Sequence, residues 1–228
     1  GTTGDDEGGR DGTRCVFLLV GIGAINGAVL AWEVPGLYAF LLASSLCLAI
    51  LMAADSDGEG AGRFFWMVEG TGLLLFTGLW GAALLGVGEL AEFEDMAQWL
   101  AYPVLAGVAA RLAIVPLHTW LTRASTSLSW GTLAIVGAVV PTLGVYLMLR
   151  LWPQINQQPT NILPLLGSLT IVLGAYAALH QPDLRRLLAF YLVGQTGYAA
   201  LAAGLETPLG AQSALFQVIA QGFVLVLL

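Results

Sequence analysis

The sequence predicts an all-α, polytopic membrane helix bundle, and three observations carry that prediction. First, 57% of its residues are hydrophobic and only 10% are charged, against about 25% charged in a soluble globular domain. Second, the apolar residues are gathered into runs long enough to cross a hydrocarbon core of roughly 30 Å. Third, the 8 basic residues are all arginine, and most lie at the ends of those runs with a strong bias to one side. A polar shell cannot be drawn around so much apolar sequence in 228 residues, so lipid is the solvent for most of the chain.

Residues 1–14 read as a polar N-terminal segment, and residues 15–228 as the transmembrane domain. Apolar runs extend from Cys15 to Ala54, Phe64 to Gly88, Trp99 to Leu121, Trp130 to Trp152, Ile162 to His180, Leu184 to Leu205, and Ala211 onward. The first is twice too long for one crossing, and Asn26-Gly27 is a turn signal inside it. Splitting there gives a short first helix and a second from about Ala28 to Ala54, making eight spans. The arginines test the split. With it, Arg10, Arg14, Arg63, Arg123, Arg185 and Arg186 share one side, while Arg150 and the acidic loop Glu89 to Asp95 take the other. The positive-inside rule places the arginine-rich side in the cytoplasm or its equivalent. Without the split, Arg10 and Arg14 change sides and the bias weakens. The chain starts without Met, shows no cleavable signal pattern before its first span, and stops inside an apolar run. A piece of a longer protein is therefore expected.

The net charge of −7 sits mainly in Gly1 to Asp11 and Glu89 to Asp95, a field that argues against nucleic-acid partners. Cys15 and Cys47 lie in apolar runs without metal-like spacing and read as small hydrophobes. No glycine-rich nucleotide loop, Cys or His cluster, or nucleophile motif is present in a plausible context. No cofactor, metal or redox centre is therefore expected in this chain. The 29 glycines are scattered through the runs, where small residues let helices approach closely.

Charges inside hydrocarbon are costly and usually face the bundle interior, so they are functional candidates. Glu33, in Ala31-Trp32-Glu33-Val34-Pro35, is expected roughly two turns inside the second helix, and Arg111 near the middle of the fourth. Two readings stand open: a structural ion pair that fixes helix register, or part of an ion path. His118 follows Arg111 by two helical turns, just after Pro116. A proline there frees a backbone carbonyl and breaks or kinks the helix, and broken helices are typical of transporter ion sites. His118 is either a proton carrier or a hydrogen-bonded interior residue. Glu69, expected within two turns of its helix start, has the simpler reading of complementing the helix dipole. His180, Asp183, Arg185 and Arg186 form a polar turn on the arginine-rich side.

The string Arg111-Leu-Ala-Ile-Val-Pro-Leu-His-Thr-Trp-Leu121 resembles the signature of the antiporter-like membrane subunits of respiratory complex I (NADH-quinone oxidoreductase), which are related to multisubunit cation/proton antiporters. Gln181-Pro-Asp-Leu-Arg-Arg-Leu-Leu-Ala-Phe-Tyr191, then Gly194-Gln195-Thr196-Gly197-Tyr198, resembles a second stretch of that family, and Trp32-Glu33 a third. Their order and approximate separation cover nearly the whole chain. The resemblance implies about fourteen helices built from two inverted repeats, each with a broken helix. Residues 15–152 or thereabouts would hold the first repeat, and 162–228 the truncated start of the second. It implies further that Glu33 matches the family's paired glutamate, that Arg111 occupies the place of its lysine, and that Pro116 marks the helix break. The sequence departs from the family at Arg111, at Pro141 where a basic residue is usual, at Gln195 in place of His, and at Gln221 and Leu225 in place of His and Lys.

The function this resemblance implies is proton translocation by a membrane subunit of an NAD(P)H-quinone oxidoreductase, with Glu33, Arg111 and His118 as proton-transfer residues. Separating Glu33 from Arg111 in a low-dielectric interior would favour proton uptake, and restoring the pair would expel the proton. Quinone and NAD(P)H or ferredoxin would be used elsewhere in the complex. Partners would be the other membrane subunits and the bilayer, in a bacterial plasma membrane or an equivalent mitochondrial inner or thylakoid membrane. The alternatives are a cation/proton antiporter subunit of the same lineage, or a non-conducting scaffold subunit that keeps the fold.

Overall fold

The computed structural model describes residues 3–55, 59–84, 98–155 and 162–227. These residues form helices α1 (Thr3–Leu30), α2 (Val34–Asp55), α3 (Glu59–Leu84), α4 (Gln98–Arg111), α5 (Thr119–Ser127), α6 (Trp130–Ile155), α7 (Ile162–Leu179), α8 (Leu184–Ala203) and α9 (Pro208–Leu227). Because α4 and α5 are the two halves of one interrupted span, they make eight rods, as the apolar runs predict. By length and composition, Val34–Ala54, Trp130–Leu151, Ile162–Leu179 and Pro208–Leu225 suffice to cross a membrane, and Arg14–Leu30 is a shorter apolar stretch.

The first long run does divide, but not at Asn26-Gly27. Helix α1 continues through both residues and ends at Leu30. Gly27 serves packing instead: a Cβ there would stand 2.5 Å from the Phe40 ring. The break falls at residues 31–33, where Pro35 occupies the first turn of α2 and its missing N–H costs nothing. The carbonyl of Glu33 accepts the N–H of Leu37 at 3.0 Å, so Glu33 stands at the N-terminus of α2. Helix α3 likewise starts at Glu59, more than a turn before Phe64.

Three arginines fix the alternation of the rods. An Arg14 nitrogen donates to the Ala54 carbonyl at 3.1 Å, and Arg185 donates to the Leu128 carbonyl at 3.0 Å while lying 4.8 Å from the Trp130 ring centroid. At the other end, Arg150 donates to the carbonyls of Val29 and Ala31 and to the Tyr146 hydroxyl. Arg14, inside α1, is tied to the last turn of α2, and the other two arginines tie helix ends, each on one side of the bundle, as the expected arrangement of arginines requires. The acidic loop Glu89 to Asp95 lies outside the described residues.

The core falls into two clusters. One holds Leu37, Leu41, Leu75, Leu79, Val108, Leu143 and Leu147; the other holds Met52, Phe64, Val68, Trp120, Leu121, Val136 and Leu192. Along α2 they part between Leu41 and Leu48, along α3 between Val68 and Leu75, and along α6 between Val140 and Leu143. The seam is therefore at middle depth, and it is where the polar side chains collect.

Candidate functional site

Arg111 ends α4 at this seam. One guanidinium nitrogen donates to Glu69 Oε1 at 2.8 Å and another to Ser45 Oγ at 3.2 Å. The two charged side chains are only 2% and 6% exposed, so the pair is a buried one. Its position follows from the helices: Ser45 is halfway along α2, and Glu69 is in the interior of α3. Close contact between α3 and α4 brings the partners together. A Cβ at Gly107 would collide with the Leu75 side chain and stand 2.9 Å from the Thr71 carbonyl oxygen, while Gly72 leaves room beside both charged groups. The contact is monodentate: among the described residues Glu69 Oε2 and Arg111 Nε have no hydrogen-bond partner. Separating the ions therefore breaks one bond rather than two, unlike a bidentate fork.

The expected pairing of Glu33 with Arg111 is not formed. Glu33 is exposed at the α1–α2 connection, at one end of the bundle, where a carboxylate at a helix N-terminus complements the dipole. Arg111 takes Glu69 instead. The two glutamates exchange settings because both helix starts differ from the predicted ones: α2 starts six residues later than Ala28, and α3 five earlier than Phe64. The signal that marks Glu69 is its place more than two turns inside a helix that begins at Glu59. Ser44-Ser45, a polar pair inside an apolar run, marks the facing surface.

The break near Pro116 is present, and it is longer than a kink. Residues 112–118 leave the α-helix between α4 and α5, and Ala113 takes a left-handed φ of 54° while wholly buried. That conformation costs a non-glycine residue on the order of 1 kcal/mol or more, so its surroundings must hold it. The freed backbone finds partners: Ile114 N–H donates to the Ala109 carbonyl at 3.0 Å, and Trp120 Nε1 donates to the Ala110 carbonyl at 2.8 Å. On the α6 side, a Cβ at Gly144 would stand 2.9 Å from Leu112 N. His118 sits in this break at the N-cap of α5 with its ring centroid 6.1 Å from Phe190. Because the helix is interrupted between them, His118 and Arg111 do not share a helical face.

Other polar side chains extend the seam toward α8 and α9. The Gln217 side-chain amide donates to Gln195 Oε1 between α9 and α8, and Thr196 and Gln221 are buried. Pro141 and Leu225 are buried and apolar at the positions where the sequence departs from its resemblance. Among the described residues no group of three His, Cys, Asp or Glu side chains is arranged to hold a metal ion. What this arrangement offers chemically is one carboxylate whose charge is held by one removable contact, beside a segment of non-helical backbone.

Residues 27–228 match the family model described as NADH:quinone oxidoreductase/Mrp antiporter, transmembrane. The chain is 30% identical over 208 residues to the chloroplast NAD(P)H-quinone oxidoreductase subunit 5 of Brachypodium distachyon, covering 84% of this chain and 27% of the relative. It is 28% identical over 189 residues to NADH-quinone oxidoreductase subunit L of Escherichia coli, covering 78% of this chain and 30% of that one. The chain thus spans under a third of the length of these relatives. Among solved structures, a chain of the Mrp complex from Dietzia sp. DQ12-45-1b superposes with a TM-score of 0.84 at 22% identity, over 92% of this chain and 42% of that one. A chain of respiratory complex I from Thermus thermophilus superposes with a TM-score of 0.77 at 23% identity, over 94% and 50%.

Proposed function

This chain belongs to the NADH:quinone oxidoreductase/Mrp antiporter transmembrane family, and from that premise we propose that it is a proton-translocating membrane subunit of a quinone oxidoreductase complex. It is an integral membrane protein of the polytopic helical kind, with no redox role of its own in this reading. Quinone reduction by NAD(P)H or a related donor takes place in other subunits and drives this one. The observation that carries the reading is the buried, monodentate Glu69–Arg111 pair at the mid-depth seam, beside the break at residues 112–118.

The mechanism is electrostatic. In the closed pair Glu69 is ionised and compensated by Arg111. A shift of the non-helical segment that follows Arg111 withdraws the guanidinium, and an uncompensated carboxylate in low dielectric takes a proton. Return of Arg111 expels that proton. Arg111 itself acts as a fixed cation, since a guanidinium holds its proton at any working pH. His118, placed in the moving segment, is the titratable group best situated to pass the proton on, and Glu33, at the exposed end of the bundle, is at most a surface collector.

The test is proton translocation by vesicles carrying the complete complex, counted per assembled complex because Glu69→Gln leaves Arg111 uncompensated and lowers the yield. Glu69→Gln is expected to abolish most translocation per complex; Glu33→Gln is expected to leave most of it. Unchanged translocation in Glu69→Gln sinks the reading and leaves a non-conducting scaffold. A cation/proton antiporter subunit is the second reading, favoured by the close superposition on a chain of the Mrp complex. Sodium-dependent proton release, abolished by Glu69→Gln without any quinone reaction, would establish it.

A further inference from the structure

Helix α7 packs principally on α8, and the two helices are seated backbone to backbone. A Cβ at Gly167 would stand 2.6 Å from the Leu201 nitrogen, and one at Gly174 would stand 2.8 Å from the Gly194 nitrogen. Such contacts leave no slack for sliding, so α7 and α8 behave as one body. Most of the rest of α7 faces outward: Leu165, Leu169, Val172 and Tyr176 are exposed. Two side chains are wholly buried, Leu163 and Thr170, and of these Thr170 is the polar one. Thr170, halfway along the helix and wholly buried, accepts the N–H of Val115 on its hydroxyl oxygen at 3.1 Å and donates the hydroxyl proton to the Leu166 carbonyl at 2.7 Å.

Val115 lies in the non-helical stretch, between Arg111 and His118. Its N–H would be unpaired if the hydroxyl were gone, and an unsatisfied backbone donor in the interior is costly. From the stretch, the N–H groups of Leu112, Ala113 and Ile114 return to α4, as does Trp120 Nε1 from α5. The bond to Thr170 instead leaves the interrupted span for the α7–α8 body. We propose that Thr170 is a positioning residue: its hydroxyl latches the break at Val115 and so couples the α7–α8 pair to the placement of Arg111 against Glu69. The inference rests on the reading of Glu69–Arg111 as the transport centre, but the latch itself is testable without it.

The experiment compares Thr170→Val, which keeps the shape and loses the hydroxyl, with Thr170→Ser, which restores it, in the complete complex. Amide hydrogen exchange over residues 112–118 reads the latch, and vesicle proton translocation reads its consequence. Loss of one neutral hydrogen bond is worth about fivefold in the opening equilibrium of that segment. Thr170→Val should therefore exchange about fivefold faster there and translocate several-fold more slowly, with assembly unchanged and Thr170→Ser close to wild type on both counts. Unchanged exchange in Thr170→Val overturns the latch. Faster exchange with full translocation overturns the coupling, provided Glu69→Gln, run alongside, abolishes transport. If Glu69→Gln transports normally, it is the transport reading that fails, and the coupling fails with it, while the exchange data still decide the latch.

Discussion

Arg111 holds a charge at the centre of the bundle that, among the described residues, only Glu69 neutralises by direct contact. Removing Glu69 leaves a guanidinium that keeps its charge uncompensated in the interior, at a cost of about 3–5 kcal/mol. Glu69→Gln is therefore expected to lower the yield of assembled complex and its Tm sharply, and Arg111→Leu less so, because a lone carboxyl there takes a proton. The double variant Glu69→Gln with Arg111→Leu should recover much of the Glu69→Gln loss, because it buries no lone ion. A double variant no more stable than Glu69→Gln would mean that the two groups do not neutralise each other. Arg111→Lys keeps the cation, and its translocation should stay well above that of Glu69→Gln in the vesicle assay. Arg111 was legible in the sequence as an intramembrane charge, and so was the need for a carboxylate partner. Which carboxylate was not, because the choice between Glu33 and Glu69 depends on where two helices start, and helix ends are decided by capping and packing more than by apolar runs.

At the level of helices, the approach of α4 to α3 decides whether the pair forms at all. Gly107 makes that approach possible, since a side chain there would meet Leu75 and the Thr71 carbonyl. Gly107→Val should push the helices apart and cost about 1–3 kcal/mol of packing. Transport should fall even though every polar residue remains, and a variant with normal translocation and Tm would show that the helices do not need this closeness. The break in the fourth span could be read from Pro116, which interrupts an otherwise apolar run. Its extent could not. The helix stops at Arg111, five residues before the proline, because Ala113 turns left-handed and because Trp120 and Thr170 supply partners from other helices. Partners of that kind, Thr170 at 55 positions along the chain from Val115, leave no local trace in the sequence.

At the scale of the molecule, the eight rods of the described residues and their alternation follow from apolar length and arginine placement, and the arginine ties at both ends agree with them. Cysteine labelling in a background without Cys15 and Cys47 tests the arrangement: Arg186→Cys and Trp32→Cys should react with an impermeant maleimide from opposite faces of the membrane. Reaction from the same face would overturn the topology. The two core clusters and the seam between them belong to the folded molecule alone, since the sequence shows where apolar residues are but not which layers they join. That seam has an electrical consequence. With Arg111 permanently positive, the closed pair sums to zero, and the separated pair with Glu69 protonated sums to one positive charge. A full crossing of the membrane by one charge is worth about 2.3 kcal/mol per 100 mV; at middle depth, loading the site draws on about half of that. Transport through this centre should therefore steepen or stall with applied voltage, and each cycle of the pair moves a single elementary charge.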